Sequence, residues 1–575
     1  MRKIVTAIIA LAAALSCTRT LRDGEYTLTV LSTNDVHGTW FDSTYVGNGV
    51  RKSLFAVNTY VDSVRTADGK ENVLLIDVGD CLQGDNAAYY YNYVDTVSEH
   101  LFPRLVGYMK YDAVVAGNHD IETGHGVYDR VAAQLNKEGV PFLGGNVVRT
   151  DGKGSYFPLY KVFKKAGLKV AVLGYENASI KSWLGESVWS GMDFMPIADV
   201  VQKDVDYVRA KEKPDVVIVA MHSATGKGDG SVLEAEGMDV FNQVKGVDWV
   251  LCAHDHVPFV ESRDTCAFIN SGSHCRFLGH GKMHIKVEGG KVVSKTFGTD
   301  LIPVKAEMAD PVMREAFRKK FLTVKDFTLK DVGVLTDDIV TRESYAGQSA
   351  YTNVLHMLNL SCGIADISMA APLTFNKTVK AGPLVFNDLF TIYPFENQLY
   401  VIRMTGEEIR RYLEASYDRW ICTPNPHVIK MRSGDNPRTG ERRWSFAGTS
   451  YNFDSAAGIN YDVDVTKPFG SRIIIKSMAD GSPFCLDKTY NVAMTSYRAN
   501  GGGELLAEAG VEEDEARIVA RFPEIRNILY DYLMANGTLN PYSFESILGS
   551  WQFVPEKARK QIAADLQLLF PDKSN

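Results

Sequence analysis

Short apolar runs recur through the first half of the chain: Leu28–Leu31, Val73–Ile76, Ala113–Val115, Val170–Leu173, Val216–Val219 and Trp249–Leu251. Stretches with helical periodicity separate them. Runs this short and this apolar predict strands buried on both faces, as in a parallel sheet covered by helices. Each is followed at once by polar residues, many of them Asp or His. Loops at the carboxyl ends of such strands converge on one edge of the sheet, which is where α/β proteins gather ligands. The pattern therefore predicts both an α/β fold and the edge that carries the chemistry.

The rhythm then changes. Pro311 to about Leu322 reads as a connecting helix, with Pro in its first turn and a face of Arg and Lys. From about Asp331 a second mixed α/β pattern runs to about Leu548, punctuated by Ala381-Gly382-Pro383 and Gly501-Gly502-Gly503. Asn425 to Gly440, rich in Pro, Asn, Gly and Arg, predicts a long exposed loop. Val554 to Phe570 predicts a terminal amphipathic helix. The resulting division is a leader over 1–17, a first domain over 26–305, a linker helix over 306–330, a second domain over 331–548 and a helical tail over 549–575.

At 575 residues the chain is too long for one core. A net charge of -8 supplies no basic field for duplex nucleic acid, and no obligate protein partner is evident. Arg2 and Lys3 precede an apolar stretch from Ile4 to Leu15, the pattern of an export signal and too short for a membrane span. Its end, Ala14-Leu15-Ser16-Cys17, resembles a bacterial lipoprotein cleavage site. That resemblance implies lipidation at Cys17 and a membrane contact through the lipid alone, on the periplasmic face. The other cysteines form no C-x-x-C pair, so a zinc knuckle is not expected; Cys266 and Cys275 are spaced to bridge in an oxidising compartment.

The strand ends carry, in order, Asp35-Val36-His37, Gly79-Asp80, Gly117-Asn118-His119-Asp120, Met221-His222 and His254-Asp255-His256. Two divalent cations side by side can activate a water, bind phosphoryl oxygens and stabilise a leaving oxygen, and they need carboxylate, imidazole and amide ligands with one carboxylate between them. In Asp35-x-His37 and His254-x-His256 an extended backbone would send both side chains to one face, toward one ion. Such ligands suit Zn, Mn, Co, Fe or Mg alike. His119 beside a metal cluster can protonate a leaving oxygen, provided a carboxylate orients it. Glu122 and Asp120 both qualify. His125, His274, His280, His284, His356 and His427 lack partner spacing and read as structural.

These motifs, D-x-H, G-D, G-N-H-D and H-x-H in this order, resemble the calcineurin-like metallophosphoesterases and, more closely, the bacterial 5′-nucleotidase family. The resemblance implies a four-layer α/β sandwich followed by a mixed α/β nucleotidase C-terminal domain. It also implies two divalent ions. Asp35, His37 and His256 would hold the first, Asn118, His222 and His254 the second, and Asp80 would bridge.

The second half is similar to the family's C-terminal domain at Asn353, Tyr393–Asn397, Phe453–Ile459 and Tyr497–Gly503. By position Phe453 and Tyr497 match two rings that sandwich a base, with Arg498 and Asn353 as further substrate contacts. Where 5′-nucleotidases carry an N-G-G-G-I-R segment, this chain has Ala370-Ala371-Pro372-Leu373-Thr374-Phe375. Where they place an Asp after paired glycines, it has Gly503-Glu504. The Ala370-Ala371-Pro372 segment, Asp464–Pro468 with Gly470–Ile473, and Tyr497–Gly502 look more like the sister branch of 2′,3′-cyclic-nucleotide 2′-phosphodiesterases with 3′-nucleotidase activity. The expected function is thus an exported dinuclear-metal hydrolase of nucleotide phosphoesters. Its rivals are a hydrolase of UDP-sugars or other esters on the same scaffold and a non-catalytic nucleotide-binding lipoprotein. A site split between domains also predicts rotation about a hinge near Asp310–Lys330.

Overall fold

The computed structural model describes residues 21–571, apart from 425, 436–441 and 513. Cys17 and the leader lie outside the described residues. All the apolar runs of the first half are strands, and they divide between two six-stranded sheets.

The first sheet runs, edge to edge, Lys291–Pro303, Phe277–Glu288, Gly24–Thr33, Val73–Asp77, Ala113–Val115 and Phe142–Leu143. The second runs Phe259–Ser262, Ala267–Asn270, Trp249–Cys252, Val216–Met221, Leu168–Tyr175 and Tyr160–Lys165. Each has four parallel strands, extended by antiparallel strands at the edge. Successive side chains of a strand leave opposite faces, so each sheet feeds two cores. Leu28, Val30, Leu74 and Ile76 meet Val172, Ile218 and Leu251 between the sheets. Leu31, Leu75 and Val114 pack outward under one helical layer, and Leu173, Val217 and Val219 under another. The result is the helix–sheet–sheet–helix sandwich that the family resemblance implies, and the strands that the alternating pattern predicts lie within it.

The expected linker is an 18-residue helix, Pro311–Thr328, capped by Asp310, whose side chain accepts from the Val312 and Met313 amides. Its Met313, Phe317 and Val324 are buried in the first domain's outer core. The second domain is built on a five-stranded sheet, Ser455–Ala457, Ile367–Ala370, Thr489–Thr495, Gln398–Thr405 and Ile518–Glu524, with a core on each face.

Two expectations are corrected. The segment over 425–440 is not all loop, because Met431–Asp435 pairs antiparallel with Arg442–Phe446. Nor is the C-terminal segment a separate tail. Trp551–Val554 pairs parallel with Ile459–Asp464, and Ile562 and Leu569 of the following helix are buried in the second domain's core. Trp551 and Phe553 alternate inward with Gln552 between them, a strand signal shorter than the helical pattern beside it.

The domains touch through a knob and a strap. Tyr89 of the first domain packs among Phe386, Phe390 and the Arg526 guanidinium of the second, and its hydroxyl donates to Asn527 Oδ1 at 2.8 Å. On the other side the Asn500 amide donates to the Trp183 carbonyl at 3.4 Å.

Candidate dinuclear metal centre and substrate cavity

The strand ends bring the expected residues together. Asp35 Oδ1 lies 3.9 Å from His37 Nε2, 3.4 Å from His256 Nε2 and 3.9 Å from His222 Nε2. Asp80 Oδ2 lies 3.1 Å from His222 Nε2 and 4.0 Å from His37 Nε2. Among the described residues two groups stand close enough to hold a cation: Asp35, His37 and His256, and Asp80, His222 and His254. Asn118 joins the second group, its Oδ1 2.9 Å from His254 Nδ1.

The loops reach this geometry through unusual backbone. Asp35, His37, Asp80, His254 and His256 all have positive φ, at 48°, 46°, 59°, 78° and 59°. The two H-containing pairs are therefore not extended, as the i, i+2 argument assumes; left-handed turns aim them instead. Non-glycine residues rarely adopt this region, and such strain gathers at functional sites. The motif glycines have a different reason. A Cβ on Gly79 would stand 2.7 Å from His222 Nδ1, and one on Gly117 would stand 2.3 Å from Asp80 Oδ1. Only glycine lets these loops pass so close.

The donor set fits divalent cations. Asp35 Oδ1 and His222 Nε2 are buried without a hydrogen-bond partner, a costly state for a carboxylate and an imidazole nitrogen. His37 Nε2 and His256 Nε2 face each other at 3.0 Å. His222 Nδ1 sits 2.7 Å from the Val78 carbonyl, the backbone bond that fixes the tautomer of a metal-ligating His and leaves Nε2 to the site. Asp35 Oδ2 is held by the Asn34 side-chain amide at 2.6 Å and the His254 backbone amide at 3.0 Å. Burial pushes the Asp80 carboxyl up, but the surrounding His222, His119 and His37 outweigh it and hold it well below the usual range. The carboxylate is thereby kept in the ionised form that a cation ligand needs. Carboxylate, imidazole and amide donors do not select among Zn, Mn, Co, Fe and Mg.

His119 stands at the rim. Its backbone amide donates to Asp80 Oδ1 at 2.8 Å, and its Nδ1 meets Glu122 Oε2 at 2.6 Å. Burial lowers its pKa, but Asp80 and Glu122 raise it further, to about 9. With Nδ1 held by Glu122, Nε2 is the nitrogen left for a substrate oxygen. The geometry thus selects Glu122 and corrects the alternative of Asp120. Asp120 accepts from the amides of Asp80, Cys81, Leu82 and Gly117 at 2.9–3.0 Å. That fully buried carboxylate laces two ligand loops together and has no oxygen left for His119.

A cavity of about 680 Å³ opens from these residues into the second domain, within the range of small-ligand sites. The first domain contributes Asp80, Asn118, His119, Glu122, Trp183 and His254; the second contributes Met369, Ala370, Ala371, Leu373, Tyr451 and Tyr497. Trp183 lies parallel to the His254 ring, centroids 5.2 Å apart. Tyr497 sits on the one-turn helix Ser496–Ala499. A Cβ on Gly502 would stand 2.5 Å from the Tyr497 ring, so the glycine run gives that ring its seat.

Three expected substrate contacts are corrected here. Phe453 does not face Tyr497: it is 0% exposed, stacks on Trp420 at 5.5 Å and 4°, and belongs to the core. Tyr451, two residues earlier on the turn Ser450–Asn452, lines the cavity instead. Asn353 is buried on the helix Ala350–Leu360, where its Oδ1 accepts from Gln348 Nε2 at 3.0 Å, and it does not line the cavity. Arg498 touches the cavity but is 3% exposed and ion-paired to Asp454 at 2.8 Å. It holds the wall rather than a ligand. Cys266 and Cys275 are free thiols, not a bridge.

Sequence reasoning also passed over residues that the site uses. His274, read as structural, stacks on His37 at 5.1 Å, and its amide donates to the Asp35 carbonyl at 2.8 Å. Asn34 precedes the first motif residue and holds it. Trp183 and Tyr451 carried no signal beyond being aromatic residues in loops.

Residues 28–258 match the family described as calcineurin-like phosphoesterase, and residues 331–509 match the 5′-nucleotidase C-terminal domain. The chain belongs to the 5′-nucleotidase family, which joins those two domains, and is a nucleotide phosphoesterase with a candidate dimetal site. It is 23% identical over 600 residues to a 2′,3′-cyclic-nucleotide 2′-phosphodiesterase/3′-nucleotidase of Haemophilus influenzae, covering 92% of this chain and 87% of that relative. It is 22% identical over 582 residues to the trifunctional nucleotide phosphoesterase protein YfkN of Bacillus subtilis. That match covers 89% of this chain and spans 38% of the relative's length. A Staphylococcus aureus protein solved in complex with alpha-ketoglutarate shares the fold, with a TM-score of 0.75 at 20% identity over 92% of this chain and 99% of that one.

Proposed function

We propose that the chain hydrolyses 2′,3′-cyclic nucleotides and 3′-nucleotides, using two divalent ions and His119, with 5′-nucleotidase activity as the second reading. The observation that carries the nucleotide part is the cavity itself: it runs from the metal ligands to Tyr451 and Tyr497. Flat aromatic faces suit a base, whichever base it is. The small wall at Ala370 and Ala371, where 5′-nucleotidases carry a glycine-rich segment ending in Arg, favours the cyclic branch.

Asp35, His37 and His256 would hold one ion; Asn118, His222 and His254 the other; Asp80 would lie between them. Bound there, the ions supply an activated water and charge for the phosphoryl oxygens. The remaining work falls to the chain's own residues. Glu122 fixes the His119 ring through Nδ1. His119 donates from Nε2 to the departing ribose oxygen. The tyrosines and Trp183 orient the nucleoside and exclude water from its faces.

The test is a phosphate-release assay with added Mn, Zn, Co or Mg on 2′,3′-cyclic AMP, 3′-AMP, 5′-AMP and bis(p-nitrophenyl) phosphate. Cleavage of the cyclic ester and 3′-AMP in preference to 5′-AMP is expected. Preference for 5′-AMP would select the second reading, and binding of nucleotides without turnover would select a capture role.

The leader pattern, Arg2 to Cys17, supports export and attachment to a bacterial membrane through lipid on Cys17. No helix among the described residues is long and apolar enough to cross a membrane. Cell fractionation of Cys17→Ser is expected to move the protein from the membrane to the soluble fraction. An unchanged distribution would refute the anchor.

A further inference from the structure

We infer that the cavity accepts substrates with a single phosphoryl group and rejects nucleoside diphosphates, triphosphates and dinucleotide-type diphosphoesters. This inference rests on the nucleotide reading above and narrows its substrate class. When a chain of phosphates places its terminal phosphoryl group at the ions, the others lie between the ions and the tyrosines. The question is what charge they would meet there.

Among the described residues lining the cavity, Arg498 is the sole Lys or Arg. A guanidinium has five N–H donors, and this one uses all of them inside the protein. Nε donates to Asp454 Oδ2 at 3.2 Å and Nη2 to Asp454 Oδ1 at 2.8 Å and the Tyr451 carbonyl at 3.0 Å. Nη1 donates to Asn452 Oδ1 at 3.2 Å and the Gly502 carbonyl at 2.5 Å. Its charge is balanced by Asp454, which is itself 2% exposed. No donor is left for a second phosphate.

Beyond the Arg498–Asp454 pair, the second-domain wall offers neutral polar groups at Asn359, Asn397, Thr449 and Thr495 but no cation. Met369, Ala370, Ala371 and Leu373 form an uncharged stretch. On the metal side Glu234 stands 3.9 Å from His254 Nε2, with its side chain 48% exposed, and adds negative charge beside the path. A phosphate there would lose water, gain no cation and face a carboxylate. Like charges a few ångströms apart in a partly dry site repel by more than they do in water. A substrate whose only phosphoryl group lies on the ions presents a neutral nucleoside to the same wall and meets none of this.

The experiment measures kcat/KM with the full mature chain in a divalent metal buffer for 2′,3′-cyclic AMP, 3′-AMP and 5′-AMP, and for ADP, ATP and UDP-glucose. The diphosphates and the triphosphate are expected to be poorer than the best single-phosphoryl substrate by about 100-fold or more. Rates for ADP or UDP-glucose within about tenfold of that substrate would overturn the inference and leave the nucleotide reading standing; no cleavage of any nucleotide would sink both. Leu373→Arg places a cation on the bare wall and is expected to raise the ADP-to-monophosphate ratio about tenfold, with a thermal melt to show that it folds. An unmoved ratio in a folded variant would remove charge as the cause.

Discussion

The two walls of the cavity are built in opposite ways. The metal side draws its groups from loops at the ends of parallel strands, where positive φ aims Asp35, His37, Asp80, His254 and His256 and motif glycines make room beside them. The second-domain side, where the proposed base would lie, offers rings from a short turn and a one-turn helix, backed by a buried Arg–Asp pair. A cation needs particular atoms at particular places, so few substitutions are tolerated. A base needs only flat apolar area, which several neighbouring aromatics can supply. Chemistry of the first kind marks a sequence; chemistry of the second kind leaves little trace.

The sharpest test of that contrast is at Asp80, where removal of one carboxylate touches both cation groups. Asp80→Ala is expected to lower kcat by about 10³-fold or more, since metal-based stabilisation is worth several kcal/mol. Metal content after dialysis should fall with it. A variant that keeps both its ions and its rate would break the assignment of the metal side.

His119→Ala should come next, with a loss of about 10²–10⁴-fold in kcat and unchanged metal content, the range for a lost proton donor. Glu122→Gln keeps a hydrogen bond but removes the charge that holds the imidazolium, so a smaller loss of about tenfold is expected. Equal effects of Asp120→Asn and Glu122→Gln on kcat in folded protein would contradict the division of labour between these carboxylates.

Much of this was legible in the chain. Apolar runs ending in Asp and His predict the strands, their parallel order and the edge that carries the ligands, because burial on both faces leaves no polar alternation to confuse them. The choice between Glu122 and Asp120 was not legible. Both lie within three residues of His119, and only the helical turn Asn118–Ile121 aims one at the ring and the other at backbone amides. The exchange of Phe453 for Tyr451 has a similar origin. At the end of a 3₁₀ turn, a shift of two residues separates a ring facing the cavity from one stacked in the core, and composition is blind to that shift. His274 escaped because its contact with His37 is made through packing, with no spacing motif to announce it.

That exchange can itself be tested. Phe453→Ala should destabilise the second domain by about 3–5 kcal/mol, as for a buried aromatic, with KM for nucleotides unchanged in protein that remains folded. Tyr451→Ala and Tyr497→Ala should do the reverse, raising KM by an amount equivalent to about 1–3 kcal/mol of stacking while leaving stability and kcat close to the parent values. A KM effect at Phe453 without a change in melting temperature would restore the ring pair predicted from sequence.

The smallest expected effect concerns buried histidines, one in each domain, that differ in what a proton would disturb. Burial lowers His100 of the first domain to about 3, helped by the Arg130 charge, and its Nδ1 accepts from the Phe102 amide at 3.2 Å, a bond that protonation would abolish. Burial likewise lowers His356 of the second domain to about 3, but its nitrogens meet two hydroxyls, Ser368 Oγ at 2.8 Å and Ser455 Oγ at 3.1 Å, which can turn to accept. For both, the folded pKa lies below the unfolded value of about 6.5. Their contribution is therefore complete above about pH 6.5 and is lost progressively as pH falls toward 3. His356→Gln preserves hydrogen bonding without titrating. The parent should thus lose up to about 2 kcal/mol more stability than the variant between pH 7 and pH 5, read from denaturant unfolding of the second domain. Parallel stability curves for the two proteins would mean that His356 takes up its proton as easily folded as unfolded.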